Sequence, residues 1–188
     1  MSDEPPAESN FEMLWQDLLA DAEATAEEYR EDGWETHLLT PGDVTPRYDS
    51  EEPYGLDVLV PESEFELVDG LREETTFESS DVYAQTIGPI VFLLTAELTT
   101  GANTAVLVPA YFNHVNDADL LAAAAEGEGM RLHLRSLGSD HRVTFIHEDH
   151  TLFEPDHNGE RQAEAAEAQT GDESEESGSG TPAPDDTE

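Results

Sequence analysis

The sequence predicts an α+β domain with a mostly antiparallel sheet, one long N-terminal amphipathic helix and two short helices. Three observations carry this expectation. Apolar residues recur at helical spacing from Phe11 to Tyr29. Strand-like runs come in hairpin-linked groups, with turns at Gly88-Pro89, at residues 100–103 and at residues 138–140. Helical patterning returns only over residues 62–71 and 118–125. Strands that follow one another without intervening helices favour antiparallel pairing over a doubly wound parallel sheet.

The first helix is written by Phe11, Leu14, Trp15, Leu18, Ala22, Ala26 and Tyr29, three and four apart, with acids filling most of the other face. Ser9 and Glu12 match a capping box with Ser9 as the N-cap. Gly33 stands where a left-handed C-cap belongs. Residues 34–39 read as a strand, Pro41-Gly42-Asp43 as a turn, and residues 45–54, with two prolines, as an irregular loop. Residues 55–60 form a short apolar strand, and Pro61 introduces a helix with Phe65, Val68 and Leu71 on one side. Strands follow over residues 82–87, 90–99 and 104–112. Asn116-Asp117 caps a second short helix, residues 130–137 and 142–147 make a hairpin, and residues 151–153 add a final edge strand.

Composition sets the medium. The chain has 45 Asp plus Glu against seven Lys plus Arg, no lysine at all, and a formal net charge of −38. Such a surface repels itself in dilute buffer. Multimolar salt shortens the Debye length to about 3 Å and screens that repulsion. The balance resembles cytosolic proteins of extreme halophiles and implies a cytoplasmic location. Lacking cysteine, the chain has no disulfide, thiolate or iron–sulfur chemistry. Lacking lysine, it has no Schiff base. The N-terminal residues carry neither a basic region nor an apolar run, so no signal peptide is expected there. No stretch approaches the roughly 20 apolar residues of a membrane span, and the charge opposes nucleic-acid and anionic-lipid partners. Residues 1–9 and 155–188 are expected to be disordered, the latter as an acidic tail, around one domain over residues 10–154.

The segments Gly33-Trp34-Glu35-Thr36, Pro41-Gly42-Asp43-Val44, Tyr54-Gly55-Leu56-Asp57-Val58-Leu59-Val60-Pro61 and Val106-Leu107-Val108-Pro109-Ala110-Tyr111 together resemble an uncharacterised haloarchaeal family of small acidic proteins. The resemblance spans roughly residues 10–154. Its motifs are a helix stop, a turn and strand ends, and it brings no activity with it.

Three groups of residues are candidates for function. Strand alternation puts Arg131, His133, Arg135 and Arg142 on one face of the last hairpin, an anion or partner surface or else a set of ion pairs to neighbouring acids. Asn113 and His114 end an apolar strand before a helix cap, a place for ligand-proximal residues or for turn and capping contacts. His147 and His150, among carboxylates, are the weak metal candidates, because the helical His-Glu-x-x-His arrangement is absent. No Walker, dinucleotide or nucleophile-elbow pattern is present. The sequence therefore points to a non-enzymatic adaptor, regulator or accessory subunit that binds another protein. The alternative is a small-molecule-binding protein or metal-dependent hydrolase built on His114, His133 and His147. No cofactor and no oligomeric state is specified.

Overall fold

The computed structural model describes residues 7–48 and 53–155. Along the chain they form α1 (Ala7–Glu31), β1 (Glu35–Leu38), β2 (Asp43–Arg47), β3 (Gly55–Leu59), α2 (Glu62–Glu74), β4 (Ser79–Ile87), β5 (Ile90–Thr99), β6 (Thr104–Asn113), α3 (Ala118–Glu126), β7 (Met130–Arg135), β8 (Val143–His147) and a 3-10 turn (His150–Phe153). Residues 156–188, where the acidic tail is expected, lie outside the described residues. At the other end α1 already begins at Ala7, so Ser9 sits inside the helix and is not its N-cap.

The C-terminus of α1 closes in a Schellman motif. Trp34 N–H reaches Tyr29 O at 2.9 Å and Gly33 N–H reaches Arg30 O at 3.0 Å. Gly33 has φ +90°, a conformation that costs a residue with a Cβ. The Tyr29 and Trp34 rings meet edge to face across this stop, 6.1 Å apart.

The strands form two four-stranded sheets, ordered β1-β6-β5-β4 and β2-β3-β7-β8. Four of the six neighbouring pairs are antiparallel, as expected of a mostly antiparallel arrangement, but the strands are divided between two sheets and each sheet contains one parallel pair. β1 runs parallel to β6, and β3 runs parallel to β7. The remaining pairs are antiparallel. Hairpin turns announce only pairings between successive strands. The two parallel pairs join segments far apart in the chain, and no local turn marks them.

The first sheet is covered on both faces, which is why β5 and β6 are apolar almost throughout. Leu94, Ala96, Leu98, Ala105 and Leu107 meet Ala22 and Ala26 of α1, with Leu18 only half-buried beside them. Alanine at the contact lets the helix lie close to the sheet. On the other face, Val91, Leu93, Val106, Val108, Ala110 and Phe112 pack against Leu56 and Val58 of β3, Leu132 and Leu134 of β7, and Val143 and Phe145 of β8. Phe65 and Val68 of α2 and Leu120 and Ala124 of α3 complete this core. The order of layers is helix, sheet, sheet.

Two local expectations are corrected. Residues 43–47, expected as a turn and loop, are strand β2; it is an edge strand, where Pro46 is tolerated. Residues 151–153 lie in the 3-10 turn, in which Asp149 accepts from Thr151 N–H at 3.2 Å and Phe153 is fully buried.

Candidate functional site

The outer face of the second sheet carries the arginines. Buried Met130, Leu132 and Leu134 alternate with Arg131, His133 and Arg135 along β7, so the latter three share the face away from the core. The register sets Thr45, Asp57, His133 and Thr144 in one row across β2, β3, β7 and β8. Asp57 is completely buried and gathers three guanidiniums. Arg47 Nε donates to its Oδ2 at 2.8 Å. Arg135 Nε stands 3.0 Å from Oδ2 and Arg142 Nε 3.3 Å from Oδ1, ion pairs whose angles fall short of hydrogen bonds. Arg135 also lies 3.8 Å from Asp43, and Arg47 and Arg142 have further interactions. Arg131 pairs with Glu128 at 2.8 Å and lies 4.7 Å from the centre of the Tyr54 ring.

His133 is a buried linker within this face. Its Nε2 lies 3.0 Å from Tyr54 O, an acceptor, so Nε2 carries the proton. Nδ1, 2.8 Å from Thr144 Oγ1, then accepts from that hydroxyl. The close approach requires Gly55: a Cβ there would lie 2.5 Å from Arg131 O and 2.7 Å from His133 Nε2, and its φ is +147°. Tyr54 ties the same corner, its hydroxyl donating to Gly129 O at 2.8 Å and accepting from Glu128 N–H at 3.1 Å.

Asn113 and His114 make turn contacts. Asn113 Oδ1 accepts from the N–H groups of Val115 and Asn116, and His114 Nε2 is 3.2 Å from Gly88 O. His150 pairs with Glu154 at 3.4 Å. His114, His133 and His147 do not converge. His133 and His147 occupy opposite faces of the second sheet, while His114 follows the end of β6, eight residues beyond Val106, the partner of Glu97. Among the described residues no group of three or more His, Asp or Glu side chains is arranged to hold a metal ion.

The second constellation joins the two sheets. Glu97 points inward from β5, where its strand neighbours Val91 and Leu93 are core, and His147 points inward from the end of β8. His147 Nε2 and Glu97 Oε1 are 2.8 Å apart, with side chains only 1% and 4% exposed. The carboxylate can only accept, so Nε2 carries the proton. Nδ1 is buried without a hydrogen-bond partner, and the ring centroid lies 5.3 Å from that of Phe153.

This pair lines a cleft of about 960 Å³. One wall is the run Phe77 to Ser80, leading into β4; the other is the run Thr144 to Glu148 of β8 and the residue beyond. Both runs contribute consecutive residues, hence side chains from both pleat faces. A cleft that touches both faces of a strand follows the strand's edge. β4 and β8 are the end strands of their sheets. The cleft is the open side of the sandwich, with Glu97 and His147 among its deepest residues. Among the described residues its lining includes Glu78, Glu97, Glu128 and Glu148 against a single arginine, Arg72.

Sequence reasoning picked out His147 but missed Glu97, Asp57 and Tyr54. A carboxylate inside the apolar runs of β5 and β3 is the signal that points to the two acids.

The chain belongs to a family of unknown function (DUF7529), matched over residues 4–155. No curated protein and no solved structure matches it. Among the described residues no helix is long and apolar enough to cross a membrane.

Proposed function

We propose that the protein is a non-enzymatic adaptor, regulator or accessory subunit, working in the cytoplasm of a cell with multimolar internal salt, and that it takes an extended segment of a partner polypeptide into the cleft along β8. The observation that carries this reading is the position of β8: an end strand whose outer edge, with no strand beside it among the described residues, borders the cleft of about 960 Å³. Free backbone donors and acceptors on such an edge recruit an added strand, and neighbouring pockets then select its side chains. Ile146, 49% exposed on that strand and part of the cleft lining, offers apolar contact.

The hydrolase alternative has less support. Its three histidines are dispersed, and the free nitrogen of His147 is buried beside Phe153, out of reach of a substrate in the cleft.

Affinity capture in multimolar KCl tests the proposal. The wild-type chain should retain a partner that Ile146→Asp loses while its melting temperature stays unchanged. Equal capture by both chains, or capture by neither, would refute it.

A further inference from the structure

Resting on the partner reading above, we infer that the cleft selects a segment bearing an arginine or lysine, whose cationic head seats against the buried carboxylate of Glu97.

The argument begins with what Glu97 lacks. Its side chain is 4% exposed and sits in a β-sheet row opposite Val106. A carboxylate removed from water is stable only when hydrogen-bonded and paired. Glu97 has one such contact, from His147 Nε2 to Oε1. Among the described residues its second oxygen has no donor; it is not one of the fully buried atoms and is open to the cleft that the side chain lines. His147 Nδ1 is buried without a hydrogen-bond partner. A carboxylate oxygen without a donor on the cleft side calls for a donor, and a charged donor satisfies a carboxylate best.

The rim agrees in sign. Glu128 is already paired with Arg131, and Glu78 accepts the Thr100 hydroxyl. Among the described residues Glu148 has no cation, and Arg72 is the only arginine lining the cleft. A simple metal ion does not suit the place, because no third ligand joins Glu97 and His147 among the described residues. A long side chain with a terminal guanidinium or ammonium does: its stem crosses the cleft and its head supplies several donors. The chain's own residues 156–188 are acidic, with one arginine and no lysine, so their charge does not complement the cleft. The cation comes from a partner.

Heptapeptide pools provide the test, their central residue fixed as Arg, Lys, citrulline or Glu and the rest drawn from Thr, Val and Ser. Binding to the full chain is measured calorimetrically in multimolar KCl. General attraction to an acidic surface is screened there, whereas a buried carboxylate is screened far less. The Arg and Lys pools should bind about tenfold or more tightly than citrulline, the Glu pool weakest. Glu97→Gln should remove the difference between Arg and citrulline while retaining binding of the citrulline pool. Equal binding of Arg and citrulline by the wild-type chain overturns the cationic seat and leaves the edge-strand reading standing. Binding by none of the pools overturns both. Spermidine competing as well as the Arg pool overturns the polypeptide source. If Glu97→Gln lowers the melting temperature, the comparison of Arg with citrulline on the wild-type chain alone still decides.

Discussion

Replacing Asp57 by asparagine should destabilise the protein more than any single change to the arginines around it. The side chain keeps its shape and loses its charge. Asp57 is fully buried, and Arg47, Arg135 and Arg142 approach it at 2.8, 3.0 and 3.3 Å. Removing one member of a buried ion pair costs about 3–5 kcal/mol, because the remaining charge stays uncompensated. Here three guanidiniums would be left facing one another. Two features pull the cost toward the lower end. The arginine side chains are 25–32% exposed, so water and salt screen part of their repulsion. Arg47 and Arg142 also have other interactions to fall back on. We therefore expect a loss of about 3 kcal/mol, which for a protein of this size lowers the melting temperature by about 6–12 °C. The assay is thermal melting in multimolar KCl, with Arg135→Gln and the double variant measured alongside. Arg135→Gln alone should cost about 1 kcal/mol, and the double variant should cost less than the sum, because removing one arginine relieves the repulsion left by asparagine. A fall below about 2 °C for Asp57→Asn, or strict additivity, would refute the claim that this carboxylate organises the face.

Gly55→Ala should cost about 3 kcal/mol or more in denaturant melts, since the new methyl meets Arg131 O and the backbone is held at φ +147°; a change within experimental error would show that the β3–β7 approach is loose. Burial first, and then the 2.6 Å hydrogen bond to Asp81, raise the Tyr29 phenol far above its ordinary value of 10.0. The unfolded chain therefore releases this proton first, and stability is fully present below about pH 10 and falls as pH rises beyond it. Tyr29→Phe should flatten that alkaline decline in pH-dependent melts, and an unchanged slope would contradict it. With a net charge of −38, the melting temperature should rise steeply from dilute to multimolar KCl, and a flat profile would refute the high-salt reading.

Local chemistry made much of the fold legible. Tyr29, Gly33 and Trp34 spell the end of α1, and Gly33 has the positive φ that its position requires. The run from Ile90 to Thr99 is too apolar for a one-sided strand, and both of its faces are covered. What escaped was non-local. β2 carries a proline and was hidden by it until its edge position was known. The parallel pairs β1 with β6 and β3 with β7 join residues such as Leu56 and Leu132, which no turn links. Alternation alone put Arg131, His133 and Arg135 on one face, but the acid that gathers Arg135 and Arg142 comes from another strand. Among 45 acids, Asp57 and Glu97 attract no notice by type; only their apolar neighbours mark them. The pairing of Glu97 with His147 spans 50 residues and two sheets, and nothing local encodes it.

The central claim, that a partner strand adds to β8 within the cleft, is tested most directly by amide hydrogen exchange on the captured complex. Exchange is followed residue by residue over the whole chain in multimolar KCl, with and without the partner. The account predicts new protection concentrated at residues 144–148, with smaller changes at residues 77–80 on the facing wall. Protection elsewhere, for example around exposed Leu137 at the tip of the last hairpin, with residues 144–148 unchanged, would contradict it.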